Sequence, residues 1–237
     1  MMQVLVMAQG RQSRLANVLD GPKHLVKVDG EPILARTLRL ETSLGVGARR
    51  RPVVVGWPGM RPACDSQGAR LVTLHHPGTS LLFGLLQTTA LWSPRGRTIV
   101  LLGDVVFSAA AMAAILAERR PLVFAGTTTL HGGDGELYAL AFDAAAAAPI
   151  VETLRDFRPA YTEHEQPGQL RRLLWSYMAR TGRTWTHPHE MHHPDLYLPI
   201  DDWTKDIDTP DDLTRLEDLT VRARQEGAGD VGRTARQ

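Results

Sequence analysis

The sequence predicts an α/β protein of three layers, with a mostly parallel sheet carrying helices on both faces. Short apolar runs alternate with helical patterns from the first residues onward. Two runs, QVLVMA at 3–8 and TIVLL at 98–102, are apolar almost throughout, as strands covered on both faces require. Capping residues and prolines stand where each intervening helix would begin.

The elements follow in order. Residues 3–8 form the first strand. Pro32 opens a helix over 33–44, which sets Leu34, Leu38 and Leu40 on or near one face. Strands are expected at 52–56 and 69–74, both rich in β-branched or apolar residues. Thr79 is placed to cap a helix running to about residue 92, ahead of the strand at 98–102. Ser108 caps an alanine-rich helix to residue 119, and strands follow at 122–127 and 136–142. Helices are read at 144–157 and 168–180, and Thr209 caps a last one from 210 to about 225. The His- and Pro-rich stretch 181–202 reads as an irregular excursion over the sheet. Residues 1–225 are expected as one domain. Residues 226–237, rich in Gly, Arg and Ala without period, are expected as a disordered tail.

Composition narrows the function. The chain has 237 residues and a net charge of +1, which gives no long-range attraction for nucleic acid or an anionic membrane. Cys64 is the sole cysteine, so no disulfide framework exists, and a passive thiol is the simpler reading of it. The opening MMQVLVMAQG has no basic region before its apolar run and reads as a buried strand rather than a signal peptide. No apolar run approaches the roughly 20 residues that a membrane span needs. A cytoplasmic protein without nucleic-acid or membrane partners is expected, with oligomerisation left open. Of 27 basic residues only Lys23, Lys27 and Lys205 are lysine, a mild flag on each.

Two segments carry candidate chemistry. Ala8, Gln9, Gly10, Gln12, Ser13 and Arg14 follow the first strand, and Pro22-Lys23 comes soon after. In open α/β sheets ligands bind beyond the carboxyl ends of strands, where amides near a glycine form an anion nest. Arg14 and Lys23 would add fixed positive charge against a triphosphate. A plain βα turn with surface cations explains the same residues about as well. The second segment is the strand end Gly103-Asp104 together with Asp206 and Asp208, just before the helix start Thr209-Pro210-Asp211-Asp212. Asp211 and Asp212 suit the helix dipole, whereas Asp206 and Asp208 precede the cap and are available to a metal.

These residues resemble the signature of the nucleotidyltransferase superfamily that includes sugar-1-phosphate nucleotidyltransferases, MobA-like guanylyltransferases and phosphocholine cytidylyltransferases. Ala8, Gly10, Arg14, Pro22, Lys23, Gly30 and Pro32 match its opening pattern in order. Gln9 stands in place of a second alanine and Gln12 in place of a second glycine. Gly103-Asp104 and the late Asp-Ile-Asp-Thr-Pro motif complete the match, which spans residues 4 to 213.

The resemblance implies a three-layer, Rossmann-like fold of the glycosyltransferase-A type with a mostly parallel mixed sheet. It implies a Mg²⁺-dependent transfer of NMP from an NTP to a phosphorylated acceptor, a sugar 1-phosphate or a phospho-alcohol. Arg14 and Lys23 would be catalytic. Ala8, Gln9, Gly10, Gln12, Ser13, Gly78, Thr79 and Ser80 would contact the nucleotide, the last three at its base. Asp104 with Asp206 or Asp208 would hold the metal, and Glu136 and Tyr138 would meet the acceptor. An NDP-sugar glycosyltransferase is the alternative, but Asp104-Val105-Val106 lacks the second acid that such an enzyme would place there. A non-catalytic nucleotide-binding subunit is a further alternative, supported by Gln9 and Gln12. The tract His187-Pro188-His189-Glu190-Met191-His192-His193 is read as a solvated or acceptor-facing loop rather than a zinc site.

Overall fold

The computed structural model describes residues 1–9, 15, 21–44, 50–74, 80–127, 135–157, 169–183, 193, 195–215, 218–219, 221–222 and 224–225. The chain begins with β1 (Met2–Ala8), a small hairpin of β2 (Lys27–Val28) and β3 (Glu31–Pro32), and α1 (Ile33–Ser43). Next come β4 (Val53–Gly56), α2 (Arg61–Ser66), β5 (Arg70–Val72), α3 (Leu81–Gln87) and β6 (Arg97–Leu102). After β6 follow β7 (Val105–Val106), α4 (Ala109–Ala117), β8 (Leu122–Gly126), β9 (Leu137–Asp143) and α5 (Ala144–Asp156). The described chain ends with α6 (Gln169–Arg180), β10 (Tyr197–Pro199), β11 (Lys205–Asp206) and α7 (Pro210–Thr214).

Among the described residues, seven strands make the main sheet in the order β10-β8-β9-β6-β1-β4-β5. All neighbours are parallel except β9, which runs antiparallel to both β6 and β8. The connection from β8 to β9 is too short for a helical crossover of a dozen or more residues, so the chain must reverse beside itself. The sheet is therefore mixed but mostly parallel, as expected.

Alternation along β1 divides the core. Leu5 and Met7 pack into a cluster with Leu82, Leu85, Leu154 and Leu173, from α3, α5 and α6. Val4, Val6 and Ala8 face the opposite cluster, with Leu34 and Leu38 of α1 and Met112 and Ile115 of α4. Burying such side chains contributes about 1.5–3 kcal/mol each and fixes the three layers.

Several local expectations change. The stretch 181–202 contains β10, which extends the sheet parallel to β8 through the pairs Tyr197–Phe124 and Leu198–Ala125. Its signal was the apolar run Leu196-Tyr197-Leu198-Pro199-Ile200, hidden beside His and Pro. Ser80, with extended backbone, caps α3 by accepting from the Phe83 N–H. That helix stops at Gln87, where Thr88 bonds back to the Leu85 carbonyl at 2.8 Å, and a short 3-10 turn replaces the rest. The strand at 69–74 shortens to Arg70–Val72, and the helix expected from 210 to about 225 breaks after α7 (Pro210–Thr214), the described residues 218–219, 221–222 and 224–225 being helical. Residues 226–237 lie outside the described residues.

Candidate functional site

β1 and β6 lie side by side in parallel, with Met7 paired to Leu102. A Cβ at Gly103 would stand 2.8 Å from the Ala8 Cβ and 3.0 Å from the Met7 carbonyl. Glycine is therefore what lets the chain leave β6 tight against β1 and deliver Asp104 beyond both strand ends. Asp104 is then followed by β7, which pairs antiparallel with β11 through Asp206–Val105 and Lys205–Val106. The Ile207 N–H donates to the Asp104 carbonyl at 3.1 Å, and the Ile207 side chain is fully buried with Leu15, Val28 and Val106. This two-stranded ladder carries a distant acidic segment to Asp104.

Lys23 closes the arrangement. It sits in a 3-10 turn after Pro22, with the Leu25 N–H on the Pro22 carbonyl at 2.8 Å. Its Nζ lies 2.6 Å from Asp104 Oδ2 and 2.5 Å from Asp208 Oδ1, with 9% of the side chain exposed. Burial alone would lower the Lys23 pKa, but the two carboxylates outweigh it and hold the ammonium above its ordinary range. Burial would likewise raise Asp104, yet Lys23 keeps that carboxyl below the usual carboxylate range. His24 is fully buried beside them and is pushed down to about 4, chiefly by burial, so it is neutral at pH 7.

A second group adjoins the first. Lys205 Nζ stands 3.5 Å from Asp206 Oδ1, 3.5 Å from Asp212 Oδ1 and 3.7 Å from Glu136 Oε2. Burial, a hydrogen bond with Glu136 and that neighbour's charge hold Asp206 well above the usual carboxylate range. Asp212 also completes a capping box with Thr209, and its Oδ2 accepts from the Asp208 N–H at 3.1 Å, which orients the backbone at Asp208.

The remaining candidates divide. Ala8 is buried at the end of β1. Gln9 is 2% exposed, and its amide lies directly against α3, where a Cβ at Gly84 would fall 1.4 Å from Gln9 Nε2. Neither polar atom of that amide has a hydrogen-bond partner among the described residues. Tyr138 is 1% exposed and donates its hydroxyl to the Thr204 carbonyl at 3.1 Å, supporting the lead into β11 from behind. Glu136 is part-exposed beside Lys205. Gly10, Gln12, Ser13, Arg14, Gly78 and Thr79 lie outside the described residues, as does the histidine tract except His193. Among the described residues no group of three or more His, Cys, Asp or Glu side chains is arranged to hold a metal ion. Cys64 is buried, and burial pushes its thiol up to about 11, in keeping with a passive role.

Sequence reasoning missed His24 and Lys205. Lys205 carried one usable signal, being one of three lysines and next to Asp206. His24 carried none, because its burial depends on the turn that follows Pro22.

The described helices include none long and apolar enough to cross a membrane. No curated protein matches the sequence. Solved structures of similar fold include a nucleotidyl transferase from Methanothermobacter thermautotroptrophicus, 19% identical over 94% of this chain and 98% of that one, with a TM-score of 0.63. The CTP:phosphocholine cytidylyltransferase of Streptococcus pneumoniae is 14% identical over 92% and 98%, with a TM-score of 0.62. The inositol-1-phosphate CTP transferase of T. maritima is 13% identical over 94% and 96%, with a TM-score of 0.61. At these identities the likeness is one of fold. A family profile, the MobA-like NTP transferase domain, matches residues 4–177, most of the chain, from within β1 through β9 and α5. With that match over most of its length, and with Lys23 and Asp104 paired inside the matched span, the chain belongs to the MobA-like NTP transferase domain family.

Proposed function

We propose that the chain transfers a nucleoside monophosphate from an NTP to a phosphorylated small-molecule acceptor, releasing pyrophosphate. A sugar 1-phosphate is the preferred acceptor and a phospho-alcohol the next. The observation that carries this reading is the ammonium of Lys23, held within 2.6 Å of Asp104 and Asp208 beyond the ends of β1 and β6. In-line attack of an acceptor phosphate oxygen on the α-phosphorus needs positioning and charge neutralisation rather than a general base. A phosphate monoester is already an anion near neutral pH.

Lys23, with Arg14 and the amides around Gly10, holds the triphosphate and stabilises charge on the departing pyrophosphate. Asp104 and Asp208 both meet the Lys23 ammonium in the free chain, and with Lys23 turned to the phosphates these hard oxygen donors would hold Mg²⁺, with Asp206 an adjacent carboxyl. Bound there, Mg²⁺ would supply further neutralisation of phosphate charge. Glu136 and Lys205 face the acceptor, and Tyr138 positions the segment that carries Lys205. Gln9 and Ser80 border the nucleotide from β1 and α3.

The test is pyrophosphate release from the four ribonucleotide triphosphates and dTTP, each offered with sugar 1-phosphates and phosphocholine. Lys23→Ala and Asp104→Ala are each expected to lower turnover at least about 10²-fold, the scale of losing one preorganised charge contact. Near-wild-type rates in both would refute the assignment.

A further inference from the structure

Seven arginines and a single acid, Asp65, lie between Glu41 and Asp104, a run of net +6 in a chain of net +1. The fold gathers four of them. Arg50 and Arg51 lead into β4 and Arg70 begins β5, so these three stand at the amino ends of the strands, away from Asp104, while Arg61 joins them from α2. They line a cleft of about 1130 Å³ together with Asp65. All four side chains are exposed. Arg50 reaches Gln3 Oε1 at 3.4 Å, while Arg51, Arg61 and Arg70 form no ion pair among the described residues. The far wall is apolar, built from Leu91, Trp92, Ala147 and Val151.

Guanidinium groups that converge without carboxylate partners repel one another, and their planar donor forks match phosphate oxygens. The concave shape and the apolar wall suit a small ligand with an organic half more than an extended polymer. We propose that this cleft is a second phosphate site, separate from the Lys23 crevice, for a ligand carrying a di- or triphosphate. The phosphates lie among Arg51, Arg61 and Arg70, and the organic part lies against Leu91 and Val151.

Calorimetric titration of the full chain with inorganic triphosphate tests the site. A binding event is expected that survives Lys23→Ala and is lost, or weakened at least tenfold, in Arg51→Ala/Arg70→Ala. Both arginines are exposed, so the double variant should melt at the wild-type temperature, which separates loss of binding from loss of fold. An event unchanged by the double substitution overturns the site, as does the absence of any event in Lys23→Ala. If the arginine variant loses one equivalent and Lys23→Ala loses none, the cleft stands and the role given to Lys23 falls. Titration with ADP and UDP against inorganic pyrophosphate then identifies the source. At least tenfold tighter nucleotide binding, lost with the arginines, supports a role for the apolar wall. Equal affinities overturn that role.

Discussion

At the carboxyl ends of β1 and β6, Lys23 is withdrawn from water and set within 2.6 Å of two part-exposed acids, Asp104 and Asp208. Around a cleft on the same sheet, Arg51 and Arg70 at the amino ends of β4 and β5 and Arg61 of α2 stand in solvent, without ion pairs among the described residues. The same kind of group thus does different work at each end. Burial makes partnership obligatory at the first, because an unpaired buried charge is costly. Solvation makes it optional at the second and leaves the cations available to an incoming anion.

Glu41 and Gln9 extend the contrast to buried polar groups held away from any cation among the described residues. Glu41, near the end of α1, is 1% exposed, and burial pushes its carboxyl up to about 7. Asp104, beside Lys23, moves the opposite way.

The largest expected effect tests the partnered end. Lys23→Met leaves Asp104 and Asp208 facing each other without a cation and is expected to lower unfolding free energy by about 3 kcal/mol in urea titration. A loss under about 1 kcal/mol would mean that water already serves those carboxylates and that the two ends differ less than claimed.

Next comes Glu41→Gln. With a folded pKa near 7 and an unfolded value of 4.5, the native chain keeps a proton that the unfolded chain gives up. Stability therefore falls as pH rises from about 4.5 to 7 and then levels off, by up to about 1.4 kcal/mol per unit. The Gln variant should lack that decline and exceed wild type by about 2 kcal/mol at pH 8, with little difference at pH 4. Parallel stability curves for the two proteins would sink the idea.

The smallest effect concerns Gln9→Leu. Removing a buried amide that has no partner among the described residues should raise stability by about 1 kcal/mol, read as a higher melting temperature. A lower melting temperature would show that the amide has a bonding role in the free chain.

Much of this was legible beforehand because it depends on periodicity and local chemistry. The buried runs marking β1 and β6, the Ser108 and Thr209 caps and the Gly103-Asp104 strand end all needed only neighbouring residues. What escaped depends on pairing between distant segments. The strand Tyr197–Pro199 exists because β8 offers an open edge, and β11 exists because β7 does. The seating of Lys23 between Asp104 and Asp208, rather than in open solvent, follows from that second ladder. The Gln9–Gly84 contact likewise needs α3 laid against β1.

The Lys23–Asp208 bond spans 185 residues of chain. During synthesis, at about 5–20 residues per second, Asp208 leaves the ribosome roughly 10–40 s after Lys23. The sheet from β1 to β9 can gather in that interval, while Lys23 and Asp104 wait with half their carboxylate set. The crevice is thus timed by translation: a nascent chain holds the scaffold before it holds the Lys23–Asp208 pair, which waits for the segment around β11 to emerge.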